Sequence, residues 1–182
     1  MSELDRATLE RCRRGKADAF RALVRAYQDR VFALCVALAG SDGEDLAQET
    51  FVRVHGAIRE FRPEGAAALS TWILRIARRL CIDRARGARV RLMTDTAAEP
   101  VAVESPETRV SAQQTGDRLR AAIAALPEEQ RAVIALREWD GLEYEAIADI
   151  EEVPVGTVRS RLARAREALR AALADLKEEN VA

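Results

Sequence analysis

The sequence predicts an all-α protein, two small helical domains joined by a flexible linker. Three observations carry that expectation. Aromatic residues are only 4% of the 182 while the hydrophobic set reaches 48%, so the core must be built from Ala, Leu, Val and Ile, which favours helices over sheets. Apolar residues recur every three or four positions on both sides of the middle of the chain. Between them, residues 88–116 lose that repeat and carry Pro100, Pro106, scattered Ser and Thr and four acids, the marks of a tether.

Four helices are expected before the tether, over residues 3–14, 17–39, 43–58 and 68–86. The third opens on Ser41-Asp42-Gly43-Glu44, a capping-box spacing, and offers Ala47, Phe51, Val54 and Ile58 as a buried face. Arg62-Pro63-Glu64-Gly65 signals a turn before the fourth, whose apolar face runs Leu69, Trp72, Ile73, Ile76, Ala77 and Leu80. Four more are expected after the tether, over 117–125, 128–139, 143–150 and 155–177. Pro127 suits a first helical turn, where its missing N–H costs nothing, and Gly141 suits a helix end. Pro154 opens the last helix, in which Val155, Val158, Leu162, Ala165, Leu169 and Leu173 form one stripe. The domains are expected at 1–87 and 117–182, with 88–116 as the linker.

Several function classes are excluded early. The longest apolar run, Val31 to Gly40, is half of the roughly 20 residues a membrane span needs. The N-terminus, Met1-Ser2-Glu3-Leu4-Asp5-Arg6, is charged at once and lacks a signal peptide's apolar stretch. A cytoplasmic protein without membrane insertion is expected. Cys12, Cys35 and Cys81 are widely spaced and His55 is the one histidine, so neither a CxxC pair nor a zinc-ligand set exists. The cysteines read as ordinary small residues. No Ser/Cys–His–Asp arrangement and no Gly-rich phosphate loop appears, so no catalytic residue, metal or cofactor is expected, and the chain is not expected to be an enzyme.

The net charge of −1 conceals an uneven distribution. Residues 1–87 carry 16 basic and 12 acidic side chains, 88–116 carry 3 and 4, and 117–182 carry 10 and 14. Nucleic-acid binding therefore has to come from local patches. All the basic residues except Lys16 and Lys177 are Arg, which suits bidentate contacts to phosphate and guanine.

Such a patch lies in the last helix. Residues 143–150, a short turn and 155–170 have the lengths of a helix-turn-helix, whose second helix enters the DNA major groove with its N-terminal residues facing base edges. The buried stripe leaves Thr157, Arg159, Ser160, Arg161, Ala163, Arg164 and Arg166 outside. The run Leu126-Pro127-Glu128-Glu129-Gln130-Arg131, then Gly141-Leu142-Glu143-Tyr144-Glu145-Ala146-Ile147-Ala148, then Pro154-Val155-Gly156-Thr157-Val158-Arg159-Ser160-Arg161-Leu162 resembles region 4 of bacterial extracytoplasmic-function (ECF) sigma factors. The resemblance implies that Thr157, Arg159, Ser160, Arg161, Ala163 and Arg164 face the promoter −35 element, with Arg166 on backbone phosphate. The sequence departs from the family at Glu143, usually Ser or Thr, at Glu151-Glu152, commonly Leu-Gly, and at small Ala163. The turn acids, with Glu145 and Asp149, make the approach to DNA locally acidic, and weak duplex binding by this domain alone is expected.

A second signature precedes the first. Asp42-Gly43-Glu44-Asp45-Leu46-Ala47-Gln48-Glu49-Thr50-Phe51-Val52-Arg53-Val54 is similar to sigma region 2.2, and presents Asp45, Gln48, Glu49 and Arg53 away from its apolar face. The resemblance implies docking on the clamp helices of core RNA polymerase, with region 4 meeting the flap. Thr71-Trp72-Ile73-Leu74-Arg75-Ile76-Ala77-Arg78-Arg79-Leu80-Cys81-Ile82-Asp83-Arg84-Ala85-Arg86 is similar to regions 2.3–2.4, which implies −10 element contacts by Arg75, Arg78, Arg79, Arg84 and Arg86. Here Arg79 replaces a frequent Asn, and the loop near Leu69 has no aromatic. Trp72 reads as a core residue rather than a base-stacking one. The whole resemblance implies a sigma factor that binds core polymerase, directs promoter-specific initiation and is restrained by an anti-sigma factor. Two alternatives remain at this stage: a free-standing helix-turn-helix regulator, or a sigma-like interaction protein inactive in initiation.

Overall fold

The computed structural model describes residues 4–63, 68–94 and 112–174, which form eight α-helices and no strand. The loop residues 64–67, most of the expected tether and the end of the last expected helix lie outside the described residues. None of the helices is long and apolar enough to cross a membrane, among the described residues.

Asp5 opens α1 (Arg6–Arg13), its carboxylate accepting from the Thr8 amide at 2.9 Å and satisfying one of the first-turn donors. Gly15, at φ +75°, turns the chain into α2 (Ala17–Ala39). At 23 residues this helix is about 35 Å long and is the spine of the N-terminal bundle. It buries Leu23, Tyr27, Val31, Leu34 and Cys35, against which α1, α3 (Gly43–Ala57) and α4 (Leu69–Thr94) pack.

The expected capping box at α3 does not form. A 3-10 turn over Gly40–Asp42 takes in Ser41, the expected cap, and leaves Asp42 before the helix at φ −79° and ψ −5° without a side-chain cap, whereas a capping side chain needs extended backbone beneath it. The Asp42 carboxylate instead meets Arg84 of α4 at 2.6 Å. Of the expected α3 face, Ala47, Val54 and Ile58 are buried and Phe51 half-buried, with Leu46 and Thr50 completing the stripe. Helix α4 continues beyond its expected end at 86.

The C-terminal bundle comprises α5 (Ala112–Ala124), α6 (Glu128–Ile134), α7 (Tyr144–Glu151) and α8 (Val155–Ala172). Pro127 precedes α6, its carbonyl accepting from the Gln130 and Arg131 amides. Where one continuous helix was expected to 139, α6 widens into a π-helical turn over Ala135–Trp139, a bulge that keeps Ala135 and Leu136 buried. Gly141 then leaves the helix at φ +64°.

The two bundles do not stand apart. Helix α4 lies against α7, and α2 against α6 and the π turn, so that the buried residues form a single cluster. All three cysteines are buried thiols, as expected of core residues. The Cys81 thiol donates toward Cys35, and that bond together with burial holds its pKa well above the ordinary range.

Gly43 allows the close crossing of α3 on α2. A Cβ there would stand 2.6 Å from the Cα and amide nitrogen of Val36, backbone atoms that cannot swing aside. Gly43→Ala is therefore expected to destabilise the protein by about 1–3 kcal/mol, the usual cost of overpacking, read as a lower urea midpoint.

Candidate functional site

Three helix surfaces matter, and in each the buried stripe decides what faces out. On α3 the inward Leu46, Ala47, Thr50 and Val54 leave Asp45, Gln48 and Arg53 exposed and Glu49 half-buried, as expected. Arg53 and Glu49 pair at 2.9 Å, one turn apart; so exposed a pair contributes only about 0.3–0.5 kcal/mol and yields readily to an external partner. Val52 projects beside them and is 70% exposed, an apolar surface residue the sequence pattern did not single out.

Helix α4 buries Leu69, Ile73, Ala77 and Leu80. Trp72 is half-buried with its ring centroid 5.1 Å from that of Phe61, in keeping with a core role. The five arginines expected to form a basic face are not equivalent. Arg79 and Arg86 are exposed, Arg75 and Arg84 half-buried, and Arg78 is buried at 5% exposure. Arg78 as a free surface cation is thus corrected: Leu74, Ala77 and Cys81 are buried around it, and α7 covers it. Its Nε donates to Glu151 Oε1 at 2.7 Å, its Nη2 to Glu151 Oε2 at 3.3 Å and its Nη1 to Glu128 Oε1 at 2.5 Å. Burial works against the guanidinium charge, but the two carboxylates more than restore it, and its pKa lies above the ordinary arginine value. Arg79 reaches Glu152 at 2.6 Å and Arg84 reaches Asp42, so these two are also engaged within the chain.

The α7–turn–α8 unit has helix-turn-helix geometry. Glu143 begins α7 with extended backbone and no side-chain cap. Asp140, before it, binds Arg30 of α2 at 2.7 Å, and burial raises its carboxyl above the usual range against the opposing pull of Arg30. Glu152 makes the turn in the left-handed region, at φ 55° and ψ 43°, where a residue with a Cβ carries a cost of about 1–2 kcal/mol that glycine escapes. Pro154 supplies extended backbone for entry into α8.

Val158, Leu162 and Ala165 anchor α8 with at most 1% exposure. Arg159, Ser160, Ala163 and Arg164 are consequently exposed, with Thr157, Arg161 and Arg166 half-buried. Ser160 donates to the Thr157 carbonyl at 2.9 Å. Arg166 pairs with Glu138 at 2.7 Å, and Arg161 lies 3.4 Å from Glu151. Among the described residues, Arg159 and Arg164 have no carboxylate partner. The sequence pattern missed the pairing of Glu128, Glu151 and Asp140; its one signal was the acidic turn in place of Leu-Gly.

Comparison with known proteins settles what this arrangement is. Residues 23–91 match sigma-70 region 2 and residues 116–169 match sigma-70 region 4. The chain belongs to the ECF sigma-70 family. It is 37% identical to the RNA polymerase sigma-H factor of Pseudomonas aeruginosa over 97% of both chains. It is 34% identical to the ECF sigma factor SigW of Bacillus subtilis, covering 97% of this chain and all of that one. Identity to the sigma-E factor of Escherichia coli is 38%, over 91% and 92% of the two. The fold of this sigma factor is similar to that of RpoE, solved with the anti-sigma factor NepR from Bartonella quintana, at a TM-score of 0.67 and 26% identity, covering 85% of this chain and 96% of that one. It is also similar to CnrH, solved with the cytosolic domain of CnrY, at 0.69 and 23%, covering 94% and 97%.

The scaffold and the exposed face of α8 separate in stability measurements. Leu162→Ala is expected to cost about 2–5 kcal/mol in equilibrium unfolding, as core truncations do. Arg164→Ala, at the exposed surface, is expected to stay within about 0.5 kcal/mol of the parent.

Proposed function

We propose that this sigma factor binds core RNA polymerase through the outer face of α3, opens the −10 region with α4 and reads the −35 element with α8. The observation that carries the reading is the pair of outward faces on one chain. A polar α3 surface and an arginine-rich α8 surface lie in separate bundles, each fixed by a buried stripe behind it. Residues 1–87 would form the docking and −10 domain, 88–116 the linker and 117–182 the −35 domain.

On α3, Asp45, Gln48, Glu49 and Arg53 supply charge-complementary recognition of a polymerase groove on the clamp helices, while the C-terminal domain meets the flap. On α4, Arg75, Arg79, Arg84 and Arg86 line the strand-holding surface, and Arg78 joins them once its carboxylate partners leave. On α8, Thr157, Arg159, Ser160, Arg161, Ala163 and Arg164 meet base edges and Arg166 a phosphate, Arg159 and Arg164 being ready to bond without first breaking an ion pair. Polymerase supplies the chemistry, so the chain is not itself an enzyme and works in the cytoplasm. RpoE's complex with an anti-sigma factor supports a restraining partner of that kind here.

Titration of labelled protein into bacterial core polymerase tests the reading. The parent chain is expected to bind with a submicromolar Kd. Changing Asp45, Gln48 and Glu49 together to Ala is expected to weaken binding roughly tenfold or more, a loss of at least ~1.4 kcal/mol. Equal binding by parent and triple variant would remove α3 from the interface.

A further inference from the structure

One end of the N-terminal bundle carries cations that no carboxylate answers. We infer that this end is a further single-stranded-DNA track, a strip of cations and paired rings formed by the α1–α2 turn, the start of α2 and the end of α3, which continues the strand-holding surface of α4. The inference rests on the role proposed for α4.

Residues 10–18 and 59–62 together carry six basic and three acidic side chains. Two of the acids are already engaged, Glu10 by Arg13 at 2.8 Å and Asp18 by Arg11, and the third, Glu60, is exposed. Arg14, Lys16, Arg59 and Arg62 are also exposed, and among the described residues none of the four has a carboxylate partner. The fold brings them together across a long stretch of sequence. Gly15 turns at φ +75°, and a Cβ there would stand 3.3 Å from Arg59 Nη2, so the guanidinium from the end of α3 lies against the turn between Arg14 and Lys16. Like charges placed so closely repel one another. The partial negative charge at the C-terminal ends of α1 and α3 offsets some of that repulsion, and the phosphates of a bound strand would offset the rest.

The rings beside the cations favour a single strand over a duplex. His55, exposed on α3, meets the half-buried Phe20 of α2 edge-on, with ring centroids 4.7 Å apart and planes at 82°. Phe20 lies one helical turn from Lys16 and His55 one turn from Arg59, so the ring pair stands among the cations of both helices. Phe20 steadies the imidazole, whose exposure leaves surface for a base to stack on. A duplex keeps its bases stacked on one another, whereas an opened strand presents them to such a platform while its phosphates follow the cations. The position of the strip supplies the strand. Phe61, between Arg59 and Arg62, packs its ring 5.1 Å from that of Trp72, so the strip runs into the first turn of the helix proposed to hold the opened −10 region.

The test titrates the full chain into a fluorescently labelled oligothymidylate, read by anisotropy over a range of salt concentrations, beside a duplex of the same length. Arg14→Gln, Lys16→Gln and Arg59→Gln together should flatten the slope of log affinity against log salt by roughly 2, three phosphate contacts at about 0.7 each on a single strand. His55→Ala should weaken single-strand binding roughly fivefold or more, as the loss of one stacked base does, while leaving duplex binding unchanged. His55→Phe, which keeps a ring, should restore the affinity. Circular dichroism checks folding, and the His55 pair of variants stands as an independent measurement should the charge variant fold poorly. An unchanged salt slope in the charge variant would overturn the proposal. So would full single-strand affinity in His55→Ala, which would reduce the strip to ordinary solvated charge, or an equal loss on the duplex. Arg86→Gln on α4 leaves the strip intact and reports the α4 reading separately, through its own loss of single-strand affinity, and the α3 titration decides polymerase docking by itself.

Discussion

Arg78 places a permanent positive charge where water scarcely reaches, and the relation between the two bundles is organised around meeting it. A guanidinium removed from water carries a desolvation penalty of several kcal/mol, which attraction offsets only when the geometry is good and the remaining protons are bonded. Here a fork to Glu151 and a short bond to Glu128 provide both. Removing one partner from such a cluster typically costs about 3–5 kcal/mol, so the contact specifies one docking of α7 on α4 rather than a loose apolar adhesion. The apolar part of the interface is ordinary by comparison. It is shared with the core of each bundle, where Ile147 and Ile150 of α7 and Ile73 and Ala77 of α4 are almost wholly buried.

Function in this chain follows from what burial leaves over. On α3 the inward residues fix an outward set of acids and amide, and on α8 Val158, Leu162 and Ala165 fix an outward set led by Arg159 and Arg164. Neither set is a pocket; each is a surface placed by the stripe behind it. Helix α4 differs. Its Arg78 and Arg79 are engaged by carboxylates from the other bundle and Arg84 by Asp42 of its own, so the conformation that packs best is not the one that presents the whole basic face.

Much of the fold is legible in the sequence because each helix announces itself locally. The limits of α2 are read correctly, and Pro154 fixes the start of α8 by supplying extended backbone before it. The outward faces of α3 and α8 are equally legible, since helical periodicity alone dictates them. Other features escape for stated reasons. Helix α4 passes Gly87, where a stop was expected: nothing crowds that position, and an interior glycine costs only about 1 kcal/mol, too little to end a long helix. Ser41 has the spacing of a cap for Glu44, but it is taken into the 3-10 turn that precedes α3, and Arg84 takes the carboxylate of Asp42 beside it. The π turn after Ile134 has no composition of its own. Least visible is the joining of the bundles. Arg78 and Glu151 are separated by 73 positions, and no periodicity or cap links residues so far apart. Only the paired acids of the turn, Glu151 and Glu152, gave a local sign that charge was being placed there.

The central claim is that this chain gives polymerase a promoter preference, and the most direct measurement is transcription in vitro by core polymerase on a library of random upstream sequences, with and without the protein. Sequencing of the transcripts is predicted to show, only when the chain is present, initiation downstream of one shared pair of −10 and −35 elements. Transcripts identical to those of core polymerase alone would contradict the account.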